Sequence, residues 1–128
     1  AYTNAGLSPD GSSTYYMPRK IGDRRARELM LTNRVLSAQE ALDWGVVNQV
    51  VADGEALPAA QKLAAKLAQG PTQAYGQVKA LLDSSFDHSL ESQMELEARA
   101  IAGLVGNPDG QEGLHAFLDK RKPQFSGQ

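Results

Sequence analysis

The sequence predicts a mainly α-helical fold with one or two short strands. Residues 1–11 are small, turn-rich and aperiodic, and Pro9-Asp10-Gly11 is a turn signal. The run at residues 46–51, VVNQVV, is β-branched and bounded by turn residues, which is typical of a strand. From residue 54 onward, apolar residues recur at helical spacing in four successive stripes.

Three short helices are predicted before the strand. The first begins after the turn, and Pro18 should interrupt it because proline lacks the N–H that a helix needs. Asp23 is a candidate cap for the second. Ser37 and Glu40 have capping-box spacing and open the third, which Gly45 closes.

Four amphipathic helices are predicted after the strand. They begin at Pro58, after Pro71, near Ser89 and at Asp109. The chain therefore divides into residues 1–53, of mixed structure, and residues 54–128, which are helical. Isolated helices of this length are marginal in water, so their stripes must be buried. Burial against a preceding segment or a neighbouring subunit is expected, and a self-contained bundle is the alternative.

Composition excludes several classes of protein. The 128 residues include no cysteine, so disulfides, thiolate metal sites and cysteine nucleophiles are ruled out. Nothing near His88 or His115 completes a metal site. A net charge of -2 gives no reason to expect nucleic acid or a membrane as partner. No apolar run is long enough to cross a bilayer, and no signal peptide is visible, which favours a cytoplasmic location.

Asp10 is the candidate catalytic residue. It lies in a turn directly before a helix, where free backbone N–H groups stabilise an anion. Apolar and aromatic neighbours, Tyr15 among them, surround it in the sequence. A carboxylate in such surroundings is suited to proton transfer. The alternative is an ordinary turn or capping aspartate.

Lys120, Arg121 and Lys122 form a basic cluster between Phe117 and Phe125. Such a cluster could bind phosphate and stack on a nucleotide base. The alternative is that these cations complement the negative end of the last helix.

Three groups of motifs together resemble the crotonase superfamily of enoyl-CoA hydratases and isomerases. The first group is GLSPDGSST at residues 6–14 and MPRKIG at residues 17–22. The second is ARELML at residues 26–31, LSAQEA at residues 36–41 and GVVNQVV at residues 45–51. The third is EGLHAFLDKRKPQF at residues 112–125. Their order and spacing agree with the family over almost the whole chain.

The resemblance implies a place within the family fold. Residues 1–53 would be the last turn of a spiral of ββα units, and residues 54–128 a helical oligomerisation region that forms a homotrimer or a dimer of trimers. The chain begins Ala-Tyr-Thr without a methionine, as if in the middle of a fold. The N–H pair that stabilises the thioester oxygen would then lie on the preceding segment, and residues 1–128 alone are expected to be inactive.

The resemblance also implies a reaction. Hydratases of the family use two glutamates, one at the position that Tyr2 occupies here. Several isomerases instead have an acid where Asp10 stands, as in those acting on ring-epoxide phenylacetyl-CoA and on dienoyl-CoA. Double-bond isomerisation of an enoyl-CoA is therefore expected, with hydration or a purely structural role as alternatives.

The family's last helix supplies an aromatic and a lysine to coenzyme A bound in an adjacent subunit, and Phe117 and Lys120 match those positions. Tyr15 is a further candidate for substrate contact. No separate cofactor is expected, because coenzyme A is part of the substrate. If the source is eukaryotic, the resemblance favours the mitochondrial matrix or the peroxisome.

Overall fold

The computed structural model describes residues 2–128, and these form helices joined by turns and loops. The chain divides into two compact units, residues 1–56 and residues 57–128. The mainly α-helical prediction is confirmed. The oligomerisation role expected for the second part stays a prediction.

The first unit contains a 3₁₀ helix, Tyr2–Ala5, and the helices α1 (Ser13–Ile21), α2 (Asp23–Thr32) and α3 (Ala38–Asp43). Helix α1 packs against α2, and Ile21 and Ala26 are buried there. Gly22 joins the two helices with φ of 82°, a conformation that glycine adopts without steric cost.

Pro18 lies inside α1 and does not interrupt it, so that prediction is wrong. The proline removes one backbone donor, but other hydrogen bonds support the turn around it. The Gly22 N–H donates to the Pro18 carbonyl at 2.9 Å. Arg19 donates from Nη1 to the Tyr15 carbonyl at 2.9 Å, and its guanidinium lies 3.6 Å from the centre of the Tyr15 ring.

The strand predicted at residues 46–51 is also wrong, because no strand occurs between residues 2 and 128. The N–H groups of Val46 and Val47 instead donate to the Ala41 carbonyl at 2.8 and 3.3 Å. A β-branched run becomes a strand only where a partner supplies the ladder of hydrogen bonds, and the rest of the described chain is helix, turn and loop. The prediction was wrong because it rested on strand propensity alone.

The capping box that opens α3 is confirmed. The Glu40 N–H donates to Ser37 Oγ at 3.2 Å, and the Ser37 N–H donates to Glu40 Oε2 at 2.9 Å. Two of the donors left free at a helix start are thereby satisfied.

The second unit contains α4 (Ala56–Ala68), α5 (Thr72–Ser84), a 3₁₀ turn (Ser85–Asp87), α6 (Leu90–Val105) and α7 (Pro108–Leu118). Helix α4 thus begins before the predicted Pro58, and its first residue belongs to the first unit. Helix α5 packs on α6, and α6 on α7.

Two N-caps define where α6 and α7 begin. Ser89 Oγ accepts from the Ser92 N–H at 3.2 Å, and Asn107 Oδ1 accepts from the Gly110 N–H at 2.7 Å. The second cap starts α7 one residue before the predicted Asp109.

Most apolar stripes of the helices remain exposed. The buried apolar side chains among the described residues are Ile21, Ala26 and Ala116. Large exposed side chains occur on every helix of the second unit, among them Leu63, Val78, Met94, Ile101 and Leu118. Extended apolar surfaces of this kind occur where a protein contacts another protein segment, a membrane or a ligand.

None of the described helices combines the length and apolar character needed to cross a membrane. Between residues 2 and 128, no three histidine or acidic side chains are grouped so that they could hold a metal ion.

Candidate functional site

The Asp10 carboxylate is bonded to a residue eight positions earlier in the chain. The Tyr2 hydroxyl donates to Asp10 Oδ1 at 2.6 Å. The backbone carbonyl of Asp10 accepts from the Ser13 N–H at 3.1 Å and from Ser13 Oγ at 2.7 Å. The start of α1 therefore fixes the Asp10 main chain, while a phenol, rather than the expected backbone N–H groups, holds its side chain.

Tyr2 belongs to the wall of a groove of about 410 Å³ in the first unit. Pro9 and Ser13, which flank Asp10 in the sequence, belong to the same wall. The remaining lining is largely apolar and comprises Met17, Leu29, Met30, Asn33, Arg34, Val35 and Leu36. Asp10 itself is exposed and is not among the residues that line this groove, whereas Tyr2, its hydrogen-bond partner, is. A carboxylate next to an apolar groove can act on a substrate carbon that the groove holds.

Side-chain hydrogen bonds connect the Tyr2 helix to the end of α2. Thr3 Oγ1 donates to the Met30 carbonyl at 2.8 Å. Asn33 Nδ2 donates to Thr3 Oγ1 at 2.6 Å and to Asn4 Oδ1 at 2.9 Å. These contacts position the segment that carries Tyr2.

Tyr2 is a hydrogen-bond donor at neutral pH. The hydrogen bond to Asp10 and the negative charge of that carboxylate raise the pKa of Tyr2 above its usual value of 10.0. The phenol therefore stays protonated and cannot serve as a base that activates water.

Tyr15 is not among the residues that line the groove. Its ring contacts that of Tyr16 edge to face, with centroids 5.1 Å apart, and lies under the Arg19 guanidinium. The structure thus assigns Tyr15 a contact with Arg19, and its predicted role in substrate binding stays a prediction.

Phe117 and Lys120 lie close together at the end of α7. The Lys120 N–H donates to the Phe117 carbonyl at 3.2 Å, and the Phe117 side chain is 81% exposed. Lys120 is exposed too. The ring is therefore not a packing residue within its own unit, and both side chains are accessible to a ligand.

Arg121 differs from its two basic neighbours. It donates from Nη1 and Nη2 to the Glu112 carboxylate at 2.6 and 2.8 Å, and Asp119 lies 3.5 Å from its Nε. A guanidinium engaged by two carboxylates is a poor phosphate ligand, which corrects the view of residues 120–122 as one cluster. The bidentate pair joins the helix to the segment after it.

Two acidic residues of α7 hold residues 121–127 along the helix. Glu112 Oε1 accepts from the Gln124 N–H at 2.8 Å. Asp109, which is buried, accepts from the N–H groups of Ser126 and Gly127 at 2.6 and 2.9 Å. The sequence interpretation treated Asp109 only as a helix start and missed this role.

Replacing Glu112 by glutamine should lower the thermal midpoint near neutral pH, and the loss should shrink in acid. The hydrogen bonds from Arg121 and from the Gln124 N–H lower the pKa of Glu112 from 4.5 to about 2. Its ionised form therefore stabilises the fold above about pH 4.5, and this contribution is lost as pH falls toward 2. Thermal unfolding across that range measures the difference between variant and wild type.

The control is Glu97→Gln, at an exposed position of α6. A Glu112→Gln difference that stays constant from neutral pH to pH 2 would contradict the assignment.

Comparison with known proteins decides the family. The profile described as enoyl-CoA hydratase/isomerase matches residues 1–128. The chain belongs to the enoyl-CoA hydratase/isomerase family. The resemblance drawn from the sequence motifs is thereby confirmed.

Two relatives have names that specify a coenzyme A thioester whose acyl group contains a carbon ring. The 1,2-epoxyphenylacetyl-CoA isomerase of Escherichia coli (strain K12) is 41% identical over 99% of this chain and 48% of its own length. The 4-chlorobenzoyl coenzyme A dehalogenase-1 of Arthrobacter sp is 39% identical over 94% of this chain and 44% of its own length.

The fold comparison agrees with the family. A crystal structure of an enoyl-CoA hydratase from Polaromonas sp. JS666 aligns with a TM-score of 0.91 at 33% identity, over 98% of this chain and 49% of that chain. The chain spans about half the length of the enoyl-CoA hydratase/isomerase family members that it matches.

The contact between Tyr2 and Asp10 was missed from the sequence. Tyr2 was considered only as a residue that replaces a glutamate, because no local pattern links a phenol to an acid eight residues away. No pattern in the sequence indicates that residues 33–35, directly after α2, line a groove.

Proposed function

We propose that the complete family domain isomerises the double bond of an enoyl-CoA thioester. Asp10 removes a proton from one substrate carbon and returns it to another. The negative charge that develops on the thioester oxygen is stabilised by backbone donors outside residues 1–128.

The observation that carries the proposal is the place of the Asp10 carboxylate. It is exposed, Pro9 and Ser13 near it in the chain line a largely apolar groove, and its Oδ1 accepts from the Tyr2 hydroxyl at 2.6 Å. A general base must reach the proton that it abstracts, and an exposed, oriented carboxylate meets this requirement.

Hydration is the alternative, and Tyr2 argues against it. The hydratases that this chain resembles use a glutamate at this position, whereas the Tyr2 phenol is held protonated by Asp10. Residues 1–128 offer the Asp10 carboxylate but no glutamate at position 2, so proton transfer within the substrate is favoured over addition of water.

An aromatic acyl group is the proposed substrate class. The names of two relatives specify a 1,2-epoxyphenylacetyl thioester, which derives from an aromatic ring, and a 4-chlorobenzoyl thioester, which is aromatic. The apolar lining of the groove is compatible with such a group. Phe117 and Lys120 are proposed to contact the adenine and phosphate end of coenzyme A bound in an adjacent subunit, and Tyr15 remains a candidate for substrate contact.

The mass of the product distinguishes isomerisation from hydration. We expect the complete domain to convert an enoyl-CoA whose acyl chain carries an aromatic substituent into an isomer of the same mass. Mass spectrometry of the thioester product separates this outcome from hydration, which adds one water. A hydrated product would favour the hydratase alternative and count against proton transfer by Asp10 alone.

Residues 1–128 alone are expected to show no turnover. Stabilisation of the thioester oxygen is usually the largest contribution to catalysis of this kind, and its donors are proposed to lie elsewhere in the domain. The measurement is a comparison of the purified 128-residue chain with the complete domain on the same thioester. Turnover by the short chain within tenfold (roughly 1.4 kcal/mol in barrier) of the domain would refute this placement.

Assembly through the second unit is the remaining candidate role. The exposed apolar side chains of α4 to α7 are compatible with contact between subunits, and the family resemblance implies a homotrimer or a dimer of trimers. Sedimentation analysis of the complete domain tests this proposal, and a monomer at micromolar concentration would contradict it.

A further inference from the structure

We propose that Tyr2 is a positioning residue for Asp10: its hydroxyl holds Oδ1, so that Oδ2 is presented to the substrate proton. The inference rests on the proposed function, because it assumes that Asp10 transfers the proton. It adds a second residue to the site and assigns that residue a task distinct from proton transfer.

The contact itself is short and charge-assisted. The Tyr2 Oη to Asp10 Oδ1 distance of 2.6 Å falls in the range of hydrogen bonds from a hydroxyl to an ionised carboxylate. Such bonds are about twice as strong as those between neutral groups. Among the described residues, the hydrogen bond from Tyr2 is accepted by Oδ1, and no side-chain or backbone donor is bonded to Oδ2.

Both ends of the contact are anchored. On the Asp10 side, Ser13 donates from its N–H and its hydroxyl to the Asp10 carbonyl. On the Tyr2 side, the Asn33 amide donates to Thr3 and Asn4, the next two residues of the same 3₁₀ helix. The orientation of the carboxylate is therefore set before substrate binds, which lowers the barrier to proton transfer.

The charged side chain that lines the groove is paired with other residues, which favours Tyr2 as the residue that orients Asp10. Arg34 is the one charged side chain among the described residues that line the groove. Its guanidinium is engaged by Glu40 and lies 3.8 Å from Glu28. The Tyr2 hydroxyl is the donor that reaches the Asp10 carboxylate.

Proton transfer takes place in two steps at Asp10 Oδ2. The substrate C–H bond breaks as an O–H bond forms at Oδ2; its electron pair becomes the shifted double bond, and the pair of the original double bond moves into the thioester as an enolate. The same proton then returns from Oδ2 to a different carbon, where the enolate pair forms the new C–H bond and the thioester carbonyl is restored. Throughout, the Tyr2 hydroxyl keeps its proton and fixes the direction in which Oδ2 points.

The test is Tyr2→Phe in the complete domain. We expect kcat to fall about tenfold while KM stays unchanged, because the variant loses orientation and no substrate contact. Tyr16→Phe is the matched control, since that tyrosine is exposed on α1 and does not line the groove. An unchanged kcat in Tyr2→Phe would overturn the inference.

A second variant removes the Asn33 hydrogen bonds to Thr3 and Asn4 while leaving Tyr2 and Asp10 unchanged. Asn33 adopts φ of 53°, which glycine tolerates, so Asn33→Gly removes the amide while keeping the backbone. We expect kcat to fall about threefold, again with KM unchanged. A rise in KM without a change in kcat would indicate a binding role and contradict the inference.

Tyrosine ring ¹³C signals provide a readout that does not depend on activity. The signal lost in Tyr2→Phe should titrate above the usual tyrosine pKa in the wild type and move down in Asp10→Asn. An unchanged Tyr2 titration in Asp10→Asn would refute the contact. If Asp10→Asn keeps full activity, both the proposed function and the positioning role of Tyr2 are refuted. If Asp10→Asn loses activity but Tyr2→Phe leaves kcat unchanged, only the positioning role is refuted.

Discussion

Asp10→Asn should lower the rate of double-bond isomerisation by about 10² to 10⁴-fold, the usual contribution of a general acid–base group. Asparagine matches the size of aspartate, and its amide oxygen can still accept the Tyr2 hydrogen bond. The amide cannot take a proton from carbon at neutral pH. The measurement is kcat of the complete domain on an enoyl-CoA, with the fold of the variant checked by circular dichroism.

Asp53→Asn is the matched control. Asp53 is likewise an exposed aspartate in a turn, and it lies outside the groove. Its replacement should leave kcat unchanged. Wild-type activity in Asp10→Asn would remove Asp10 from the mechanism.

Gly110→Ala should destabilise the second unit. A Cβ at this position would lie 1.9 Å from the carbonyl oxygen of Leu104 and 3.1 Å from Asn107 Oδ1. The first is rigid backbone at the end of α6, and the second is the cap of α7. Overpacking of this kind costs about 1–3 kcal/mol, and separation of the two helices would also weaken the cap. Thermal or chemical unfolding measures the loss.

Gly76→Ala provides the contrast. Gly76 lies within α5, and an added Cβ would meet nothing within 4 Å. Alanine should stabilise the helix there by about 0.5–1 kcal/mol. The prediction requires opposite effects: Gly110→Ala should lower the stability and Gly76→Ala should raise it. A shift in the same direction for both would contradict the idea that the close approach of α6 to α7 requires glycine at position 110.

Helix positions were predicted well where the signal is local. The spacing of Ser37 and Glu40 correctly located the start of α3, and Ser89 that of α6, because a cap depends on residues within one turn. Apolar spacing likewise located the helices after residue 54.

The errors came from effects beyond one turn. The valine run at residues 46–51 has high strand propensity, but pairing depends on a partner that the run does not encode. Pro18 lies within α1 although it lacks the N–H that would reach the Thr14 carbonyl, and the hydrogen bonds from Gly22 and Arg19 reach the neighbouring carbonyls of Pro18 and Tyr15. The residues around the proline, rather than the proline itself, decide whether the helix continues.

The candidate site was predicted in part. Asp10 was singled out because of its turn, and the structure bonds it to Tyr2, which lines a groove; the catalytic role of Asp10 stays a prediction. The Tyr2 hydroxyl and the engagement of Arg121 by Glu112 could not be predicted, since each is a side-chain contact between residues eight or nine positions apart. Such pairs arise from the path of the backbone.

The way in which α7 holds residues 121–127 has a consequence for variation among related chains. Asp109 and Glu112 contact Gln124, Ser126 and Gly127 mainly through main-chain N–H groups, which nearly every amino acid possesses. Side chains at positions 124 and 126 can therefore diverge while the path is kept. Gly127 is the exception, because its φ of 81° disfavours any side chain.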